Sequence, residues 1–273
     1  MIQARHLTKR YGNKVAVNDI SFDVHPGKVT GFLGPNGAGK STTMRMIMGL
    51  DRPTSGAVRV NGRPYRDLAA PLTEVGALLD AKGLHGSRTA RAHLKQLALS
   101  NGIPTRRVDE ELEFTGLSAV AKKQVKGFSL GMGQRLGIAA ALLGDPEVLI
   151  FDEPVNGLDP EGVIWVRETC RQLADEGRTV LISSHLMSEM SQTADELIVI
   201  GRGRIITTGP VDSVIENTIS DRVRVASPQA STLAQLLQQQ GWQASPVEPS
   251  VLETTATDAI HVGELAAANG IVL

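Results

Sequence analysis

The stretch Gly34-Pro35-Asn36-Gly37-Ala38-Gly39-Lys40-Ser41 decides how this chain is read. Its glycines let the backbone wrap tightly, so successive N–H groups can point into one concavity. The pattern G-x-x-x-x-G-K-[ST] is a phosphate cradle. Before it, Val29 to Leu33 reads as a short apolar strand, and after it Lys40 to Leu50 has helical character. That order aims the positive end of a helix dipole at the loop. Lys40 is then expected to meet the β- and γ-phosphates of a nucleoside triphosphate, and the Ser41 hydroxyl to ligate Mg²⁺. Chance would produce such a pattern in a chain of this size with a probability on the order of 1%. By itself the loop implies triphosphate binding and no more.

Two further stretches supply chemistry. Val148-Leu149-Ile150-Phe151 is an apolar strand that ends in Asp152-Glu153. Acids at the carboxyl end of a strand lie beside the ligand crevice of an open α/β sheet. Asp152 is expected to hold Mg²⁺ through water. Glu153, one residue on, is expected to polarise the water that attacks the γ-phosphate. His185 follows another strand, Val180-Leu181-Ile182-Ser183-Ser184. A neutral imidazole there can bond the γ-phosphate or position Glu153 and the water.

Around these motifs the chain alternates strands and helices. Helices are expected at Arg88 to Ser100, Asp109 to Thr115, Gly131 to Leu143 and Val163 to Glu176, with strands at Thr179 to Ser183 and Leu197 to Ile200. The implied fold class is α/β, with a parallel-sheet core and a helical subdomain at about 83–145. Composition changes after about Pro210. Residues 1–216 are read as one domain and 217–273 as a small α+β module. That module is given a strand at Arg222 to Ala226, a helix at Thr232 to Gln240 and a loop at Ser245 to Pro249.

The 273 residues carry a formal net charge of −1, so no overall basic field draws the chain to nucleic acid. Apolar residues make up 41%, enough for a packed core. Cys170 is the only cysteine, which excludes an internal disulfide. It falls in a helical stretch and reads as a small buried hydrophobe. The six histidines are not spaced with Cys or carboxylates as metal ligands are. No signal-peptide pattern opens the chain, and no apolar run approaches the ~18–20 residues that span a bilayer. A membrane role would need another chain to supply the span.

Residues 2–210 resemble the ATP-binding cassette family, whose motifs occur here in the family's order. Gly34 to Thr42 match its Walker A loop, Phe128-Ser129-Leu130-Gly131-Met132 its signature loop, and Leu149 to Glu153 its Walker B strand. Gly157-Leu158-Asp159 matches the D-loop, and His185 the switch histidine. The resemblance implies a P-loop NTPase core of the RecA-like type. It implies ATP and Mg²⁺ as ligands, with Tyr11 stacked on adenine and Thr42 joining the phosphate contacts. It also implies that Ser129 and Gly131 complete the ATP site of a second cassette, so that ATP is buried between two copies arranged head to tail. Asp159 belongs to that nucleotide-contacting set. The signature loop has its own physical reading: Ser129 precedes a helix and can cap it.

Two departures from the family pattern are visible. Leu130 and Met132 stand where the signature has Gly and Gln. Asp80 stands where the Q-loop glutamine touches Mg²⁺ or the attacking water. Together with the added C-terminal module, these are similar to exporter cassettes of the bacitracin and daunorubicin-resistance type. Members work at the cytoplasmic face of the membrane with a separate membrane-spanning permease. They commonly continue past the strand corresponding to Gly270 to Leu273 into a further acidic helix, so a shortened tail is expected here. Ribosome-acting cassettes have two cassettes where this chain has one P-loop. Chromosome-associated cassettes insert long coiled coils or zinc modules, for which the interval from Thr42 to Phe128 is too short. Asp80 and the signature loop argue against an importer.

Overall fold

Residues 1–80, 83–218, 223–254 and 259–273 are described by the structure, a computed structural model. The described chain divides into two units, Met1–Val211 and Asp212–Leu273. The boundary read from sequence, between 216 and 217, falls inside a helix.

The first unit opens with β1 (Ile2–Tyr11) and β2 (Lys14–Val24), then β3 (Lys28–Leu33), α1 (Lys40–Ile47) and β4 (Ser55–Val60). Strands β2, β1 and β4 form an antiparallel sheet in that order. After α2 (Pro71–Glu74) and β5 (Val75–Leu78) comes the helical part: α3 (Ala90–Ser100), α4 (Arg106–Phe114) and α5 (Leu130–Leu142). The chain then runs through β6 (Val148–Phe151), α6 (Pro160–Asp175), β7 (Thr179–Ser184), α7 (Met187–Thr193), β8 (Glu196–Gly201) and β9 (Arg204–Pro210).

Strands β5-β6-β7-β3-β8-β9 build one six-stranded sheet in that order. All of its pairings are parallel except the last, β8 with β9. The three central strands explain themselves by composition. Every residue of β6 and β7, and all but the first of β3, is buried. Continuous apolar strands of that kind suit a parallel sheet covered on both faces. Their carboxyl ends deliver Leu33, Phe151 and Ser184 to one edge, and the sequence motifs follow directly from that edge. Cys170 is fully buried on α6, and burial pushes its thiol up to about 12.

The helical part has its own core, in which Leu94, Val108, Leu112, Leu117, Leu136 and Leu143 pack together. Helix α3 starts where Thr89 accepts a hydrogen bond from Ala92 N at 3.1 Å. Ala81 and Lys82, part of the segment expected to hinge this region, lie outside the described residues.

Helix α8 (Val211–Thr218) begins at the end of the first unit. The second unit holds β10 (Val223–Ala226), α9 (Ala230–Gln239), β11 (Ala244–Glu248), β12 (Val251–Thr254) and α10 (Ala259–Ala268). Its sheet is antiparallel, in the order β10-β12-β11, over a core of Val225, Leu233, Leu237, Leu252, Val262 and Ile271. Two expectations are corrected here. The stretch Ser245 to Pro249, read as a loop, is largely strand β11. Its prolines misled the reading, yet Pro246 lies on an edge strand, beside a register shift, where a missing N–H is tolerated. Gly270 to Leu273, read as a strand, is irregular. Gly270 takes the left-handed conformation with φ of 66° just beyond α10, and Ile271 then inserts into the core. Ser227 Oγ donates to Val272 O at 2.6 Å and ties the segment down. Arg222, included in the first strand of this module, lies outside the described residues.

Candidate active site

The loop from Gly34 to Gly39 joins the end of β3 to the start of α1. Gly39 has φ of 114°, which L side chains rarely adopt, and a Cβ there would lie 2.8 Å from Ala16 O. Glycine is therefore required at the point where the loop turns into the helix. Ala38 is pinned from both sides: its N donates to Pro35 O at 3.1 Å, and its O accepts from Gly203 N at 2.9 Å. Gly34 is buried, whereas Asn36 and Gly37 are exposed on the rim. Lys40 is only 6% exposed, and its Nζ donates to Gly34 O at 2.6 Å. A buried ammonium needs such partners.

A cleft of about 270 Å³ opens over this loop. Tyr11, Lys14, Ala16, Asn36, Gly37, Gly39, Lys40, Ser41, Thr42 and Glu153 line it. Tyr11 stands at one end, 47% exposed. Its hydroxyl donates to Asp51 Oδ2 at 2.8 Å, and Arg45 Nε donates to the same oxygen at 2.8 Å. The Arg45 and Tyr11 hydrogen bonds hold the Asp51 carboxyl below its usual range. Partial burial and Asp51 together raise the Tyr11 phenol. Lys9 Nζ lies 4.9 Å from the ring centroid and covers one face of the ring.

Glu153 stands at the other end with φ of 50°, an uncommon backbone conformation for a glutamate. Its Oε1 lies 3.2 Å from Lys40 Nζ, and its Oε2 lies 3.0 Å from His185 Nδ1. Ser183 links it to its neighbour. Glu153 N donates to Ser183 Oγ at 2.9 Å, and Ser183 Oγ donates to Asp152 Oδ1 at 2.5 Å. Asp152 N donates to Leu78 O at 2.8 Å, tying that acid to β5. The turn carrying His185 is shaped by Ser184, whose Oγ accepts from Leu186 N at 3.0 Å and donates to Glu189 Oε2 at 2.5 Å. A cradle of backbone N–H groups, a buried lysine and a carboxylate braced by histidine and lysine can bind a triphosphate and activate water beside its last phosphate.

Comparison with known proteins agrees with this geometry. The ABC transporter family model matches residues 17–156. This chain belongs to the ABC transporter family. The cassette is 43% identical over 215 residues to the bacitracin transport ATP-binding protein BcrA of Bacillus licheniformis, covering 78% of this chain and 70% of that one. It is 39% identical over 208 residues to the lantibiotic transport ATP-binding protein SrtF of Streptococcus pyogenes, covering 76% and 89%. A solved structure described as the ATP binding subunit of an ABC transporter superposes with a TM-score of 0.72 at 28% identity, covering 80% of this chain and 93% of that one. Residues 221–273 match a domain of unknown function. The cassette therefore binds ATP and hydrolyses it in a reaction coupled to transport.

Not every residue expected at the site lines this cleft. Ser129 caps α5, accepting from Met132 N at 3.2 Å, and lines a different cleft of about 370 Å³ with Leu84, Gly86 and Phe128. Gly131 follows it in the first turn of α5. Asp159 caps α6, accepting from Gly162 N at 2.8 Å. Asp80 is exposed just beyond β5 and is not in the cleft lining. Among the described residues, no helix of the cassette is long and apolar enough to cross a membrane. Three neighbours of the site escaped the sequence reading: Ser183, Asp51 and Lys14. Only Ser183 left a trace there, as a polar residue closing an apolar strand.

Proposed function

We propose that this cassette is the ATPase of an exporter, acting at the cytoplasmic face of a membrane with a separate transmembrane permease and a second cassette copy. Its cargo class would be antibiotics or peptides. The names of the bacitracin and lantibiotic relatives support that class, and the permease would choose among its members. The observation carrying the catalytic part is the convergence of Lys40 and His185 on the two oxygens of Glu153 at the mouth of the loop.

The residues divide the work as follows. Backbone N–H groups of the loop and of the first turn of α1, other than those of Gly34 and Ala38, which already bond Ser184 O and Pro35 O, bind the phosphates together with the ammonium of Lys40, and the N-terminus of α1 adds its dipole. A γ-phosphate entering the loop competes with Glu153 for Lys40 and frees that carboxylate to face water. Tyr11 offers the ring face that Lys9 leaves open to adenine. The Ser41 hydroxyl and the Asp152 carboxylate are the pair this chain offers to Mg²⁺, the ion suited to one or two protein oxygens with phosphate and water completing its shell. When bound, it neutralises phosphate charge. Glu153 takes a proton from water as the water oxygen bonds to the γ-phosphorus. The bond from that phosphorus to the bridging oxygen breaks, and its electron pair leaves on ADP. His185 holds the Glu153 carboxylate in place. Ser129 and Gly131, remote from their own copy's cleft, complete the site of the second copy.

The test is Glu153→Gln in the full chain. ATP binding by calorimetry should be retained, and turnover should fall about 10²–10⁴-fold. With ATP and Mg²⁺ the variant should sediment as a dimer. Near-normal turnover would move the base to another group, His185 first. A monomer at saturating ATP would remove the shared site between two copies of this chain.

A further inference from the structure

Gln134 lies on α5, five residues beyond Ser129, and is 6% exposed. Its Nε2 donates to Glu153 O at 3.5 Å, while its buried Oε1 has no hydrogen-bond partner among the described residues. Since Glu153 N is held by Ser183, the left-handed backbone of Glu153 is gripped on both sides: its N–H from β7 and its C=O from α5. Two leucine contacts join the same pieces of chain. Leu130 Cδ2 fills the space beside Gly157, where an added Cβ would overlap it. In return, Leu158 Cδ2 lies 3.2 Å from the Cβ position at Gly131. Gly157 has φ of 74°, so neither its conformation nor its space admits a side chain.

We propose that these three contacts form a latch between the first turns of α5 and the segment 153–158. Gln134 is then a positioning residue for Glu153. The inference rests on the shared-site reading above, in which Ser129 receives the ATP of the second copy. A continuous α-helix moves largely as a unit because its backbone hydrogen bonds link successive turns. When Ser129 takes up its phosphate, Gln134 and Leu130 therefore shift with it. The Glu153 carbonyl and the Gly157 turn follow. The Nε2 bond of Gln134 is long, at 3.5 Å, so a closer approach to the Glu153 carbonyl strengthens it. Filling one ATP site thus sets the carboxylate of the other, and the two sites act cooperatively.

The experiment uses the purified full chain and ATP. ATPase rate is followed against ATP concentration for the native chain, Gln134→Leu and Leu130→Gly. Binding of a non-hydrolysable ATP analogue is measured alongside, and sedimentation of Glu153→Gln with ATP reports dimerisation. The native chain should give a Hill coefficient above 1. Gln134→Leu should lower kcat about tenfold, leave analogue affinity within about twofold and bring the Hill coefficient to 1. Leu130→Gly, at an exposed position where folding is not at risk, should lower the Hill coefficient with a smaller loss of kcat. A loss of kcat with the native Hill coefficient retained in both variants overturns the latch. So does a native Hill coefficient of 1 in a chain that dimerises with ATP. A Glu153→Gln chain that stays monomeric overturns the shared-site reading itself, and the latch with it.

Discussion

The hydroxyl of Ser183 bonds two residues that the chemistry needs in different places. It donates to Asp152 and accepts from Glu153, so one buried side chain orients the Asp152 carboxylate and stabilises a glutamate in a left-handed conformation. Such a conformation costs on the order of 1–3 kcal/mol and persists only when neighbours over-determine it. Ser183→Ala should lower kcat about tenfold or more while ATP affinity by calorimetry changes little, because no phosphate contact is lost. An equal fall in affinity would mean that Ser183 serves the loop instead. Lys40 and the Asp152-Glu153 pair were legible in sequence because their partners are close along the chain or fixed by a motif. Ser183 was not. It lies 30 residues from Glu153 and meets it only because β6 and β7 pair with Phe151 opposite Ile182. Register of that kind is set by three-dimensional pairing. Gln134, 19 residues away on a helix, was hidden for the same reason.

At the scale of elements, α4 is bound to the end of α5 through one arginine. Arg107 donates to Leu142 O at 3.2 Å and Leu143 O at 3.4 Å, satisfying carbonyls that a helix end leaves open. The same guanidinium pairs with Glu110 and Glu111. Glu111 is 5% exposed, and one of its oxygens is buried without a hydrogen-bond partner among the described residues. Burial pushes its carboxyl up to about 7; Arg107 pulls the other way, and desolvation wins. The sign follows directly. The folded chain holds this proton more tightly than the unfolded chain, so its contribution to stability is full below about pH 4.5. It falls as pH rises and is lost through pH 7. The shift corresponds to about 3 kcal/mol at most. Glu111→Gln, which keeps the shape and removes the charge, should match the native chain near pH 4.5 and melt at a higher temperature at pH 8. Melting curves across that range check it; a variant that melts lower at pH 8 would show the pair with Arg107 outweighing burial. The elements themselves were well foretold where apolar periodicity was strong, as in α5, β6 and β7. They were misread at β11, where prolines on an edge strand imitate a loop, and after α10, where a glycine turn imitates a strand.

The largest scale is that of an assembled transporter, where we propose that Asp80 serves coupling. Strand β5 pairs with β6 in register, Leu78 opposite Phe151, and the Leu78 carbonyl accepts the N–H of Asp152. Asp80 therefore stands two residues beyond the backbone that holds Asp152. The described chain resumes at Gly83, whose N donates to Asp80 O at 3.2 Å, and from there it enters the helical part through α3. Along the chain, Asp80 thus lies between the catalytic edge of the sheet and the helical part. Asp80 is exposed, and a carboxylate's approach to a γ-phosphate is repulsive unless a cation screens it. We propose that its position therefore depends on nucleotide state, as a switch requires. In the transporter reconstituted with its permease, Asp80→Ala should reduce substrate transport more than ATP hydrolysis, measured on the same vesicles. Hydrolysis by the isolated chain should stay within about threefold of native, since the residue lies outside the cleft lining. Unchanged transport would reduce Asp80 to a solvated loop acid. Collapse of hydrolysis in the isolated chain would place it in the metal site, because only a direct hold on the cation could stop chemistry without the permease present.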